Sequence, residues 1–309
     1  MLFSRSEKPI LVTGTPRSGT TWTGRMIARS RHVSLVMEPF GDNGPMKASG
    51  VSAFQHNFPY MPTSQQQNQE ALKAVRQLLA EHQRFRIPDT SQLPIHKRLI
   101  AAILNRTPIP CRPLLKDPSV PLMAEWFSDT FEAEVVVLVR HPVAVADSFV
   151  RKMKWGDLFD PTSLLDQPEL MADWFYPFEG LIKHPPNDPY LRVAIMWLCL
   201  NHVLHSYCGR HPEWNIHRHE DLASDPDRAF SDIFSRLNLP FGSRESEYVR
   251  EFSSSQNPVE APGGAPEHIQ RNSKQLPTAW KGKVPQNTVD EIRQLTEPLA
   301  SEYYSNDDW

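Results

Sequence analysis

Cysteine is scarce in this chain of 309 residues: Cys111, Cys199 and Cys208 are all it holds. Their spacing matches no metal-ligand pattern and an odd count argues against a disulfide framework, so a reducing compartment is expected. Long apolar runs are missing as well. The most apolar stretches, 135–139 and 191–204, are too short to span a bilayer comfortably, and the second contains Arg192 and Asn201. The opening Met-Leu-Phe-Ser-Arg-Ser-Glu-Lys has no apolar signal core. These absences predict a soluble, cytoplasmic protein without a transmembrane segment. Net charge is only −3, which removes any general pull toward nucleic acid or anionic membrane; an anion site here has to be local. Glycine numbers 13 against 29 prolines, a balance that predicts long, stiff connections rather than disorder.

What is present reads as a globular α/β protein, with 39% hydrophobic and 22% charged residues. Strand-length apolar segments are expected at 9–13, 33–37, 113–116, 134–139 and 214–217. Helices are expected at 20–30, 68–83, around 95–105, at 122–129, from 142 to about 154, and at 190–208, 225–237 and 288–303. Ser224 is a candidate cap for the helix at 225–237. Residues 40–65 and 253–268 read as loop, and 155–189 as irregular. Strands alternating with helices predict a mostly parallel central sheet flanked by helices on both faces. No repeat or boundary divides the chain, so a single domain over 1–309 is expected, with insertions around 40–110 and 155–190.

The segment Gly14-Thr-Pro-Arg-Ser-Gly19 has the GxxxxG spacing of a phosphate-binding loop between a strand and a helix. Its glycines let the backbone curl so that N–H groups point inward, and the following helix N-terminus favours an anion. Thr20 and Thr21 add hydroxyls, and Trp22 offers a ring that can stack on a base. The loop lacks the Gly-Lys-Ser/Thr ending of ATPases; its cation comes earlier, at Arg17. A simple glycine-rich turn with an exposed arginine is the plainer alternative.

The run Thr15-Pro-Arg-Ser-Gly-Thr-Thr-Trp22 resembles the 5′-phosphosulfate loop of sulfotransferases that use 3′-phosphoadenosine 5′-phosphosulfate (PAPS). Many members carry lysine where Arg17 stands; several carbohydrate and bacterial ones carry arginine. The family's second signature, an arginine after a buried strand and a serine eight residues on, is matched by Arg140 and Ser148. Leu-Leu-Lys116-Asp-Pro, His219-Glu-Asp-Leu222 and Gln270-Arg271-Asn-Ser-Lys274 with Trp280 resemble further family segments. The resemblance implies the sulfotransferase version of the P-loop NTPase-like fold, with PAPS as co-substrate. It implies a nucleotide site made of Arg17, Ser18, Gly19, Thr20, Thr21, Trp22, Arg140, Ser148 and Arg271. Where the family has tyrosine near adenine this chain has His219.

Sulfuryl transfer needs a base for the acceptor hydroxyl and a cation for the departing oxygen. Arg17 suits the second role. Glu38, in Glu38-Pro39 at the end of the second strand, resembles the carboxylate of carbohydrate and bacterial relatives and is the expected base, with Lys116 also on the substrate side. The histidine that cytosolic relatives carry two residues after the lysine is replaced by Pro118. Asp117 is the nearest substitute, and His32, His56, His141 and His219 are further alternatives. The close pairs His202/His205 and His217/His219 have no clear third ligand, so no metal is expected. A hydroxyl-bearing acceptor is implied, a carbohydrate or glycolipid by likeness alone. Trp155, Phe159, Trp174, Phe175, Tyr176 and Phe178 are equally a pocket wall or the core of a lid. Two other readings stay open: a P-loop kinase or NTPase, and a non-catalytic nucleotide-binding protein on the same fold.

Overall fold

The computed structural model describes residues 8–62, 68–83, 110–152, 159–260 and 269–309. The helix expected around 95–105 and the candidate wall residue Trp155 lie outside them.

Five strands form the sheet: β1 (Ile10–Gly14), β2 (Val33–Met37), β3 (Arg112–Lys116), β4 (Glu134–Val139) and β5 (Asn215–Arg218). Their order is β2-β3-β1-β4-β5 and every pairing is parallel. The side chains alternate between two cores, as the two-residue period of a strand requires. Leu11, Val36, Leu115, Val135, Val137 and Val139 face one; Ile10, Val12, Leu114, Val136 and Leu138 face the other. This burial on both faces is why the strands read as continuous apolar runs.

Helix α1 (Thr20–Ile27) joins the smaller core through Trp22, Met26 and Ile27. Helices α2 (Gln69–His82), α3 (Ala124–Phe131), α4 (Pro142–Lys152) and α5 (Pro189–Arg210) cover the larger one. The chain then continues through α6 (His219–Ser224), α7 (Pro226–Arg236) and α8 (Ser243–Ser253) to α9 (Gln286–Ala300). Asn68 caps α2 by accepting from the Ala71 N–H at 3.1 Å, and Asp188, followed by Pro189, caps α5.

Several local expectations need correcting. Helix α7 is capped by Asp225, not Ser224, whose hydroxyl instead donates to the Asp221 carbonyl. The span 40–65 is not plain loop: turns at Pro45–Ala48 and Ser52–Phe54 bury Phe40, Met46, Phe54 and Phe58. Residues from Pro161 to Lys183 form consecutive short helical turns rather than irregular chain. Helix α8 was missing from the expectation; Val249 is its one fully buried residue, with Tyr248 and Phe252 packed partly exposed against the smaller core.

Candidate functional site

The connection after β1 runs toward the β2 edge and that after β4 toward the β5 edge. The switch point therefore lies between the C-terminal ends of β1 and β4, where such sheets bind ligands. In register, Gly14 sits opposite Leu138. A Cβ on Gly14 would collide with the Leu138 carbonyl oxygen, so glycine is required for the two strands to stay paired where the loop begins.

Three residues shape the loop. Gly14 (φ 149°), Arg17 (φ 72°) and Gly19 (φ 100°) all adopt positive φ. At Arg17 a side-chain-bearing residue holds a left-handed backbone, a strain of about 1 kcal/mol of the kind found at ligand sites. The Ser18 N–H donates to the Thr15 carbonyl at 3.0 Å, closing the turn. Asn201, on α5, donates to the Thr15 hydroxyl at 2.7 Å and fixes the loop from behind. Gly19 begins α1 with no side-chain cap, and the first turn holds no acid, which leaves that helix end suited to an anion.

Onto this loop the fold brings the second motif. Arg17 Nε donates to Ser148 Oγ at 2.9 Å, and Arg140 Nη1 donates to the Arg17 carbonyl at 3.0 Å. Arg140 leaves β4, its own carbonyl held by Trp197 Nε1 at 2.8 Å, and Ser148 stands on α4. Arg271 lines the same solvent-open cleft, together with Trp280. Burial, then the charges of Arg140 and Arg271, push the Arg17 guanidinium down to about 10. Burial also lowers Arg140 and Arg271 from their ordinary values, with Glu220 partly restoring Arg140. Among the described residues none of these three arginines has a carboxylate at ion-pair distance. A largely buried cluster of like charges with acidic groups only at a distance, Glu38 near Arg17 and Glu220 and Asp147 near Arg140, suits an anion. Ser18 Oγ and Arg140 Nε, both buried and without a hydrogen-bond partner, point the same way.

Thr20 is buried and Thr21 partly so at the start of α1. Trp22 is only 9% exposed, its ring edge-on to His219 and Phe230, so most of it supports the loop from the core side. His219 is buried directly beneath Gly19, where an added Cβ would lie 2.6 Å from Nδ1. Burial first, then Arg140, hold its pKa well below the usual imidazole range. His141 stacks on Trp280 at 5.0 Å and is pushed down to about 3, mainly by burial. These placements fit packing roles for both histidines, not a base facing an acceptor.

On the other side of the loop, Lys116 is fully buried and its Nζ donates to Glu38 Oε1. Glu38 adopts φ 48°, its N–H donates to the Lys116 carbonyl at 2.7 Å, and its side chain is half exposed. Asp117 is buried behind it. Its Oδ2 accepts from the Phe40 N–H at 2.7 Å and its Oδ1 from the Ser119 N–H at 2.9 Å. Burial raises Asp117 to about 6 against the opposing pull of those donors. With its oxygens turned to the backbone, Asp117 braces the turn that presents Glu38.

Of the candidate aromatic wall, Phe159 and Phe175 are core, Trp174 and Phe178 are half-buried, and Tyr176 is 77% exposed. Sequence reading missed Asn201, Asp147, Arg151 and Glu260, the last three of which line the cleft. A lone Asn inside an apolar helix and an Asp–Arg pair at i,i+4 beside Ser148 were the available signals.

The model of the sulfotransferase family matches residues 9–243, about three quarters of the chain. The chain belongs to the sulfotransferase family. As a sulfotransferase it is an enzyme of sulfuryl transfer, built on that family's P-loop-like fold. None of the curated proteins compared with it matches. The sulfotransferase domain from the curacin biosynthetic pathway superposes with a TM-score of 0.52 at 19% identity, covering 97% of this chain and 98% of that one. The sulfotransferase domain from the Synechococcus PCC 7002 olefin synthase gives 0.47 at 20% identity, covering 97% and 96%. Retinol dehydratase, solved with androsterone and inactive cofactor PAP, gives 0.44 at 16% identity, covering 99% and 84%.

Proposed function

We propose that the enzyme transfers a sulfuryl group from PAPS to the hydroxyl of a carbohydrate or glycolipid acceptor, with Glu38 as base. The observation that carries this reading is the junction of Arg17, Ser148 and Arg140, two motifs 123 residues apart joined by direct hydrogen bonds. In this reading the loop amides, Ser18, Gly19, Thr20 and Thr21 hold the 5′-phosphate. Arg140, Ser148 and Arg271 hold the 3′-phosphate by charge-assisted hydrogen bonds. Trp22 has little open ring and contributes chiefly by supporting the loop.

Glu38 takes the acceptor proton as the acceptor oxygen attacks sulfur in line. The bond from sulfur to the bridging phosphate oxygen breaks, and 3′-phosphoadenosine 5′-phosphate (PAP) departs with that electron pair. Arg17 neutralises the charge that develops on the bridging oxygen. Lys116 holds the Glu38 carboxylate at one oxygen and leaves the other for the acceptor. No residue of the proposed set requires a metal. Three buried free thiols suit a cytoplasmic setting.

The test is a labelled-PAPS assay against polysaccharides, lipids and small alcohols, with Glu38→Gln as control. The expected result is transfer to a glycan or glycolipid, and a Glu38→Gln turnover lower by about 100-fold or more with PAP affinity retained. Full activity of Glu38→Gln would overturn the base assignment. Magnesium-dependent ATP turnover would favour the kinase or NTPase reading instead.

A further inference from the structure

The nucleotide cleft holds one more arginine than the motifs account for. Arg151 lies on α4, one helical turn beyond Ser148, and lines the cleft with Arg17, Arg140, Ser148 and Arg271. Its two sides have different partners. One edge of the guanidinium is gripped by both oxygens of Asp147, with Nη2 donating to Oδ2 at 2.7 Å. The remaining Nη1 donates to Glu260 Oε1 at 3.0 Å, and that same oxygen accepts from Lys283 Nζ at 2.7 Å.

The two carboxylates differ in permanence. The Asp147 side chain is 5% exposed and that of Glu260 is 41% exposed. A buried bidentate partner fixes the plane of the guanidinium, whereas an exposed ion pair is held weakly and exchanges readily. Glu260 thus places a carboxylate oxygen between two cations at the rim of an arginine-lined cleft. A phosphate dianion brings more charge than one carboxylate to the same donors.

We propose that Arg151, aimed by Asp147, is a specificity-determining ligand of the nucleotide's 3′-phosphate, and that Glu260 is the resident anion this phosphate displaces. The proposal rests on the nucleotide reading above and adds to it a residue outside the two motifs. It makes the α4 contribution to the 3′-phosphate a hydroxyl and a guanidinium one turn apart. Lys283 and Arg151 held Glu260 before exchange; afterwards Arg151 Nη1 faces the phosphate.

The experiment is calorimetric binding of PAP and of 5′-AMP, which lacks the 3′-phosphate, to the wild type and to Arg151→Ala, Arg151→Lys and Glu260→Gln. Arg151→Ala is expected to weaken PAP about tenfold while leaving 5′-AMP within about twofold. Arg151→Lys should recover only part of that loss, because lysine cannot keep the two-point grip on Asp147. Glu260→Gln should tighten PAP severalfold with 5′-AMP unchanged, a gain that damage to the fold would not produce. Equal weakening of both nucleotides by Arg151→Ala, no effect on PAP, or weaker PAP binding by Glu260→Gln would overturn the proposal. Those outcomes leave wild-type PAP binding intact, whereas failure of the wild type to bind PAP would bring down the nucleotide reading itself.

Discussion

Arg17 reaches the ligand side of the loop by adopting a left-handed backbone, and Ser148 and Arg140 hold it there. Its carbonyl and its guanidinium are both engaged, so replacing it disturbs the arginine cluster as well as the charge. Arg140→Ala is the cleaner test of the cation cluster, because Arg140 donates to the Arg17 backbone carbonyl, has no carboxylate in direct contact among the described residues and lines the cleft. It should weaken PAP by tenfold or more, with the circular dichroism spectrum unchanged. His141 carries a prediction about pH. Its pKa in the folded protein is about 3, below the ordinary histidine value. Between about pH 3 and 6.5 the unfolded chain therefore binds the proton more readily, and stability is lost as pH falls through that window. At pH 5 this single group costs about 2 kcal/mol relative to pH 7. Urea unfolding of His141→Phe should show a shallower decline from pH 7 to 5 than the wild type. Asp117, raised to about 6, works in the opposite direction, with stability falling as pH rises from about 4 to 6.

At the scale of elements, the site depends on how closely β1, β4 and α6 approach. Gly19 sits over His219, and its φ of 100° disfavours any other residue. Gly19→Ala should cost about 1–3 kcal/mol in urea unfolding and weaken PAP along with it. Asn201→Ala removes the strut behind Thr15 and should loosen the loop, raising the KM for PAPS more than it lowers kcat. Most of these elements were legible beforehand. The three valines of β4, the glycine spacing and the proline at the start of α4 each carry a local physical signal. Arg17 and Arg140 could be placed just past strand ends, and Ser148 on the helix that follows, for the same reason. The Glu38–Lys116 pairing, the bracing by Asp117 and the anion held by Arg151 and Lys283 could not. Each joins residues distant in sequence, or, like Glu260, sits in a segment with no periodicity to position it. Helix α8 was missed because its apolar stripe, Tyr248, Val249 and Phe252, is short and set among charged residues.

Across the whole molecule, a sheet buried on both faces separates two cores and brings Arg17 and Arg140 together at its C-terminal end. That end is poorly compensated without a ligand, so a bound anion should stabilise the fold by mass action. At a hundredfold excess over its Kd, PAP should add about 2.7 kcal/mol, and ATP at the same concentration, lacking the 3′-phosphate, should add less. Among the described residues no helix is long and apolar enough to cross a membrane. The measurement that bears most directly on the central claim is calorimetric titration of PAP into the wild type and Arg140→Ala. Tight binding to the wild type and binding at least tenfold weaker to a folded Arg140→Ala is the result this site predicts. No binding to the wild type, or equal affinity in both, would contradict it.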